Sequence, residues 1–376
     1  MPPLISIIIP AYNSADTIAE ALDSVAAQTF SDYEVIVVDD SSTDSTIAVA
    51  QAWSLHSEEK GRRVTGLQGG NVVETKSKGR KGNFVPFIIS LPQNSGPAAA
   101  RNRGIAEARG TWISFLDADD AWLPDKLEIQ LKSTVEHPDV ELFCGGTVLM
   151  SDEREYNRRQ TQTCQPLPTK SGGRLVDADR EAMCADGDAP LSGECFMTQS
   201  HLSKTLSIGV HQRSSAAFSE LSQPRRMQGC LIKLEEFAVR NQVSTSTVLV
   251  RKNAIVEAGG FDEGFRGPED YDLWIRIAAR HPVFRTPIPL SRYRERSGSL
   301  SMDDRKFLPE VMRVLDKAFG EGGALRAHRH LRAKAISAQL WSASRMALCR
   351  GARWTATQYL VRAWLQRHGA RRYPKK

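Results

Sequence analysis

Thr111-Trp112-Ile113-Ser114-Phe115-Leu116-Asp117-Ala118-Asp119-Asp120 is an apolar run that ends in three carboxylates within four residues. The run reads as a buried strand, and the acids stand where it emerges into solvent. Carboxylates crowded in this way repel one another unless a cation neutralises them. A hard divalent ion with oxygen ligands is the natural partner. In open α/β sheets, ligands collect at the carboxyl ends of the strands. The stretch therefore points to a metal-assisted site for a phosphorylated ligand. A second reading is an acidic strand-to-helix turn in which Asp120 or Asp125 caps the following helix.

The pattern around this stretch alternates. Residues 4–9 are a continuous apolar run and read as a buried strand. A helix follows to about residue 28, capped by Asn13 or Ser14, with Ile18, Ala21, Leu22 and Val25 on one face. Residues 34–38 form a second strand ended by Asp39 and Asp40, and residues 43–53 a second helix. Residues 84–91 read as a third strand, and 96–109 as an Ala-rich helix opened by Gly96-Pro97. Residues 123–136 read as a helix with Pro124 in its tolerant first turn. Residues 243–251 carry another strand pattern, and 252–258 a helix stopped by Gly259-Gly260. Residues 268–280 read as a helix whose opening acids, Glu269 and Asp270, suit the positive end of its dipole. After about residue 307 the chain reads as helical.

This alternation predicts an α/β fold with a doubly wound, mostly parallel sheet flanked by helices and a C-terminal helical extension. Two stretches, about 55–83 and 151–226, lack periodicity and read as long surface insertions. The expected plan is one domain over residues 1–304 and a basic helical extension over 305–376. Residues up to about 120 would form one half of that domain, and 121–304 the other.

Hydrophobic residues make up 41% of the 376 and charged residues 25%, as in an ordinary globular chain. No segment approaches the roughly 20 apolar residues of a membrane span. The opening residues lack a basic region and read as a strand rather than a signal peptide. Six widely spaced cysteines with no C-x-x-C argue against a zinc site or a disulfide framework and fit a reducing cytoplasm. Residues 321–376 carry 13 Lys or Arg against one acidic residue, so the remainder of this +6 chain is net acidic. Ala333, Ile336, Leu340, Trp354, Tyr359, Leu360 and Trp364 suggest one or two amphipathic helices there. Such helices either lie on an anionic membrane surface or pack as a hairpin with a solvated basic face.

Four signals fall at predicted strand ends or helix starts, in order: Tyr12-Asn13, Asp39-Asp40, Asp117-Ala118-Asp119 and Glu269-Asp270. Loops after successive parallel strands converge on one rim, so these side chains would share a cleft. An aromatic stacks on a base, a carboxylate accepts from a base N–H or ribose hydroxyl, and a metal neutralises a diphosphate. A carboxylate off the metal removes a proton.

These residues resemble family 2 glycosyltransferases of the GT-A fold. The carrying segments are Ile7-Ile8-Ile9-Pro10-Ala11-Tyr12-Asn13, Val37-Val38-Asp39-Asp40-Ser41-Ser42, Asn94-Ser95-Gly96-Pro97-Ala98-Ala99-Ala100-Arg101-Asn102, Phe115-Leu116-Asp117-Ala118-Asp119-Asp120, Gly259-Gly260-Phe261-Asp262 and Glu269-Asp270-Tyr271-Asp272-Leu273-Trp274. The resemblance implies an inverting transferase that moves a sugar from a nucleotide-diphosphate sugar, a UDP-sugar foremost, to an acceptor hydroxyl. It implies Mn²⁺ or Mg²⁺ as cofactor and cell-surface polysaccharide or glycan assembly as setting. The acceptor, a saccharide, lipid-linked glycan or protein, is not legible.

By the same resemblance Pro10, Tyr12, Asp39, Asp40 and Arg101 hold the donor nucleotide, with Tyr12 near the base and Asp40 reading it. Asp117 and Asp119 match the family's D-x-D motif, Asp119 as metal ligand and Asp117 as ribose or metal-water contact. Asp270 matches the general base, with Glu269 as its structural neighbour, and Trp274 reads as helix core. One departure is Arg296, which stands where the family often has a His and would pair with the diphosphate. The expected location is cytoplasmic, with peripheral contact at the inner face of a membrane. A non-catalytic nucleotide-sugar-binding protein on the same fold is the alternative. The segment after the first strand lacks the G-x-G-x-x-G of a nicotinamide enzyme, no P-loop is present, and no nucleic-acid module is recognisable.

Overall fold

The two most apolar runs of the chain lie side by side at the centre of the sheet. In the computed structural model, which describes residues 2–59, 84–150, 229–295 and 303–369, these are β1 (Ile5–Ala11) and β4 (Trp112–Phe115). Both are covered on both faces, which is why neither alternates polar with apolar. β2 (Tyr33–Asp39) pairs parallel to the other edge of β1, and β3 (Phe87–Ser90) parallel to β2. The helices α1 (Ile18–Ala26), α2 (Thr46–Glu59) and α3 (Pro97–Glu107) connect this parallel part. Gly110 lets β1 and β4 meet closely, since a Cβ there would stand 2.6 Å from the backbone nitrogen of Ser6.

Beyond β4 the sheet becomes mixed. β8 (Leu249–Arg251) runs antiparallel between β4 and β6 (Leu142–Leu149), and β9 (Val283–Tyr293) lies parallel to β6. The short strands β5 (Ala121–Trp122) and β7 (Cys230–Ile232) pair antiparallel with β9. The order is β3-β2-β1-β4-β8-β6-β9-β5, with β7 on β9. Helix α4 (Lys126–Glu136) follows β5, α5 (Leu234–Val239) follows β7, α6 (Lys252–Glu257) follows β8, and α7 (Glu269–Ala278) precedes β9.

Several sequence expectations change at their edges. The strand expected over 243–251 survives only as β8, because Thr245–Thr247 forms a 3₁₀ turn with all three side chains buried. Neither Asp120 nor Asp125 caps α4: Asp125 occupies the cap position without a side-chain hydrogen bond, and Asp120 turns inward. Asn13 and Ser14 likewise do not cap α1, whose cap position is Thr17. β6 and β9 were invisible as strands, since a Gly pair interrupts the first and two prolines the second. Helix α2 continues to Glu59. The rest of the first expected insertion, 60–83, and the second, 151–226, lie outside the described residues.

The C-terminal part is helical: α8 (Asp304–Phe319), α9 (Arg332–Cys349) and α10 (Arg353–Gly369). Asp303 caps α8 by accepting from the backbone N–H of Arg305. Val314, Leu315, Ala318 and Phe319 seal α8 into the same core that holds Trp274. α9 folds onto α5 and α8, and α10 folds back on α9 as a hairpin. A buried carboxylate fastens the hairpin. Asp304, 0% exposed, accepts two hydrogen bonds from the Nη2 of Arg350, at 2.9 and 3.2 Å, and one from the hydroxyl of Tyr359 at 3.2 Å.

Removing Arg350 leaves Asp304 buried with two donors fewer on Oδ1 and one fewer on Oδ2, where only the Tyr359 hydroxyl remains. Arg350 itself is 33% exposed, so the cost is below that of a fully buried pair. Arg350→Ala is expected to destabilise the chain by about 1–3 kcal/mol. Hydrogen exchange should show protection lost first in α9 and α10, and unchanged exchange there would rule out the fastening role.

Candidate active site

The loops after β1, β2 and β4 and the start of α7 supply the expected site residues. The first two loops are tied to each other. Asn13, at φ 47°, donates its N–H to the Ser42 hydroxyl at 3.0 Å, and its side-chain oxygen accepts from the N–H of Thr43 at 2.9 Å. Ser14 donates its N–H to Thr46 Oγ1 at 2.7 Å. Tyr12 stays 47% exposed at this rim, free to stack on a flat ligand. Pro10 lies in β1 itself, one residue before the strand ends.

The acid pair after β2 is buried. Asp40 accepts at 2.7 Å from the backbone N–H groups of both Ser95 and Gly96, at the start of α3. Gly96 reaches this position with φ 91°, which its missing Cβ permits. Asp39 accepts from the Ser42 N–H at 3.2 Å, while its Oδ1 is buried with no hydrogen-bond partner. An orphaned carboxylate oxygen of this kind is costly and points to an absent donor.

Arg101 joins the next two groups. It sits on α3, 5% exposed, with its guanidinium 5.5 Å from the ring centre of Phe261. One nitrogen donates to Asp117 Oδ1 and another to Glu269 Oε1, both at 2.7 Å. Burial works against its charge, but Asp117 and Glu269 outweigh it and hold the guanidinium ionised. The residue expected to touch the nucleotide is thus enclosed between two protein carboxylates.

At the turn after β4, Asp117 and Asp119 are half-buried, and Asp120 is fully buried. Asp120 accepts from the Ser246 hydroxyl at 2.6 Å and from the Arg294 N–H at 3.1 Å. Burial and the neighbouring charges of Asp117 and Asp119 push its pKa well above the carboxylate range. Arg294 also donates through Nε to the Asp119 carbonyl at 3.1 Å, and its other end reaches Glu20. The turn is therefore held by Ser246 and Arg294, neither of which stood out in the sequence. Among the described residues no three His, Cys, Asp or Glu are grouped as metal ligands. Asp117 and Asp119 fit a hard cation that draws its remaining ligands from a phosphate and water. Arg296 lies outside the described residues.

Asp270, half-buried, is held by three donors. Its Oδ2 accepts from Asn241 Nδ2 and Thr245 Oγ1, each at 3.1 Å, and its Oδ1 from the N–H of Tyr271 at 2.6 Å. Burial foremost, then the charge of Glu269, raises its pKa to about 7, against the opposing pull of Arg101. The helix N-terminus alone would have stabilised the anion; desolvation prevails here. The 3₁₀ turn at Thr245–Thr247 therefore serves two acids, Thr245 holding Asp270 and Ser246 holding Asp120. Behind it, Gln130 donates to the Thr247 carbonyl at 2.8 Å and the buried Lys126 donates to Ser114 at 2.7 Å. Trp274 is core, as expected, packed between Phe115 and Phe261.

Comparison with known proteins shows the family and the fold. The family model described as Glycosyl transferase family 2 matches residues 6–196, just over half of the chain, and one described as Glycosyltransferase like family 2 matches 221–319. TuaG of Bacillus subtilis, a glycosyltransferase assigned to teichuronic acid biosynthesis, is 33% identical over 40% of this chain and 49% of its own length. The succinoglycan biosynthesis protein ExoO of Rhizobium meliloti is 33% identical over 42% of this chain and 39% of its own. The chain thus spans about half the length, or less, of the curated relatives it matches. The solved mannosyltransferase PcManGT from Pyrobaculum calidifontis, in complex with GDP-Man and Mn²⁺, superposes with a TM-score of 0.54. It covers 97% of this chain and 87% of the other at 16% identity, a likeness of GT-A fold.

The environment of Asp270 makes a titration testable. Its carboxyl should lose its proton as pH rises through about 7. Because the folded state holds that proton more tightly than the unfolded chain does, Asp270 should cost stability progressively as pH rises from about 4 to above 7. Glu269→Gln removes the repelling charge while Gln can still accept from Arg101. Carbon-13 NMR of the Asp270 carboxyl should then show a lower midpoint than in the parent, and an unmoved midpoint would remove Glu269 as a cause.

Proposed function

The chain belongs to glycosyl transferase family 2, and from that premise we propose that it moves a sugar from a nucleotide-diphosphate donor to an acceptor hydroxyl with inversion at the anomeric carbon. The observation that carries this reading is the shared guanidinium of Arg101. Its ion pairs to Asp117 and Glu269 draw the acid turn after β4 and the acid pair opening α7 into one site.

Asp270 is the base. As the acceptor oxygen bonds to the anomeric carbon, its proton passes to the Asp270 carboxylate. The bond from that carbon to the donor phosphate breaks, and its electron pair leaves on the diphosphate. A base poised near 7 is matched to this task at neutral pH. Asn241 and Thr245 fix the direction of the carboxylate. Tyr12 offers a face to the nucleobase beside Pro10, and the base-reading role expected of Asp40 passes to its neighbour Asp39, because Ser95 and Gly96 occupy both Asp40 oxygens while Asp39 Oδ1 has no partner. Arg101 acts through Asp117, and Arg296 pairs with the diphosphate. A divalent ion, Mn²⁺ or Mg²⁺, would neutralise the leaving diphosphate when bound to Asp119 with Asp117. GDP-Man and Mn²⁺ in the solved neighbour support a nucleotide sugar and a metal here.

TuaG and ExoO support cell-surface polysaccharide assembly as the setting, with a saccharide or lipid-linked glycan as acceptor. A UDP-sugar is the foremost donor. The described cysteines, Cys144, Cys230 and Cys349, are all free, which suits a reducing cytoplasm. We assign the transferase domain to residues 1–304 and a basic helical extension, which shares its core, to 305–376.

A transfer assay with a nucleotide-sugar panel decides between catalysis and mere binding. Asp270→Asn should lower turnover by at least about 10²-fold, with donor affinity little changed. Glu269→Gln should do less damage. Transfer by Asp270→Asn at near the parent rate, or a product that keeps the donor's anomeric configuration, would sink the single-displacement mechanism.

Asp119→Ala separates the metal from the fold. The variant should keep its own thermal midpoint but lose the upward shift that nucleotide sugar plus Mn²⁺ or Mg²⁺ gives the parent. A ligand shift that survives both this substitution and chelation would exclude Asp119 as a metal ligand.

A further inference from the structure

The hairpin of α9 and α10 leaves one face of α10 without a helical neighbour. Ala356 and Ala363 are buried toward α9, and Ser337 on α9 donates to the Ala363 carbonyl at 2.9 Å. Tyr359 turns to the same side to reach Asp304. At about 100° per residue, Trp354, Val361 and Leu365 fall within about 40° of one another on the opposite side. They are 74%, 53% and 51% exposed. Trp364 stands beside them, 57% exposed. On the helical wheel Arg362 flanks this stripe on one side and Arg353 on the other. Neither α9 nor α10 contains an acidic residue. On α9, Trp341 and Leu348, one heptad apart, are also exposed, at 56% and 51%.

A solvated basic face does not explain exposed tryptophans, and isolated surface apolar residues do not line up along a helix. An apolar stripe along the axis, bordered by arginines and carrying tryptophan, matches a helix lying in the plane of a lipid interface. There the apolar side chains sink among the acyl chains, and the arginines extend sideways to the headgroup phosphates. No described helix is long and apolar enough to cross a membrane, and α10 spans only about 25 Å. We propose that the outer face of the C-terminal hairpin, centred on Trp354, Val361 and Leu365, docks on an anionic lipid bilayer. Charge complementarity selects this occupant over a protein groove: two helices free of acidic residues meet a uniformly negative surface. The inference stands apart from the catalytic reading, because no side chain of the candidate active site takes part.

Co-sedimentation of the full chain with vesicles tests it. Phosphatidylcholine vesicles containing phosphatidylglycerol should bring the protein down at low salt. Pure phosphatidylcholine, or high salt, should weaken binding at least about tenfold. Tryptophan emission should shift to the blue on binding, since three of the seven tryptophans lie on this hairpin. The triple variant Trp354→Ser, Val361→Ser, Leu365→Ser changes only exposed side chains and should keep the parent's thermal midpoint while losing at least about tenfold in vesicle affinity. Arg353→Gln with Arg362→Gln should lose the preference for anionic lipid. The proposal is overturned by no sedimentation at low salt, by equal binding to neutral vesicles, or by full binding of the triple variant. It is also overturned if ultracentrifugation shows a dimer that the triple variant dissolves, which would make the face an interface between copies.

Discussion

One buried guanidinium organises the acidic end of the sheet. Arg101 lies between Asp117, 16 residues away, and Glu269, 168 residues away, and is all but excluded from water. A charge in such a place is tolerated only when paired and hydrogen-bonded. Each ion pair therefore demands the other element: α3, the turn after β4 and the start of α7 are held in one arrangement or leave charge buried without a partner. With Arg101 so engaged, the neighbouring acids draw on other groups, Asp270 on Asn241, Thr245 and the Tyr271 N–H.

The surroundings differ at each acid. Asp120 retreats from solvent, takes a hydroxyl donor from Ser246 and is driven toward its neutral form. Asp270, half-buried, has its pKa raised to about 7 by burial and by Glu269. Asp40 spends both oxygens on the backbone at the start of α3. Carboxylates of one chemistry thus differ in proton affinity and in partners, because desolvation and hydrogen-bond supply differ over short distances.

The helical C-terminus obeys a similar economy of charge. Asp304 is its only fully buried carboxylate, and Arg350 and Tyr359 converge on it from the hairpin. With that anchor made, α10 needs little more than two alanines to pack on α9. Trp354, Val361 and Leu365 are left outside, among the arginines of the same helix.

The sequence by itself determined the parallel half of the sheet and the identity of the acids. Residues 4–9 and 111–116 are apolar without alternation, and burial on both faces is the condition under which a strand reads so. The ordered acids at strand ends were legible for the same local reason. What depended on tertiary structure was everything set by contact between distant segments. The polar run Thr245-Ser246-Thr247 looked like strand because local pattern cannot register that Asp120 and Asp270 approach it from two sides. Arg101 looked like a nucleotide ligand until Glu269 closed over it. The helix dipole, which is legible in the sequence, favours the Asp270 anion, and folding opposes it, because desolvation and the charge of Glu269 act only once the chain has brought them there.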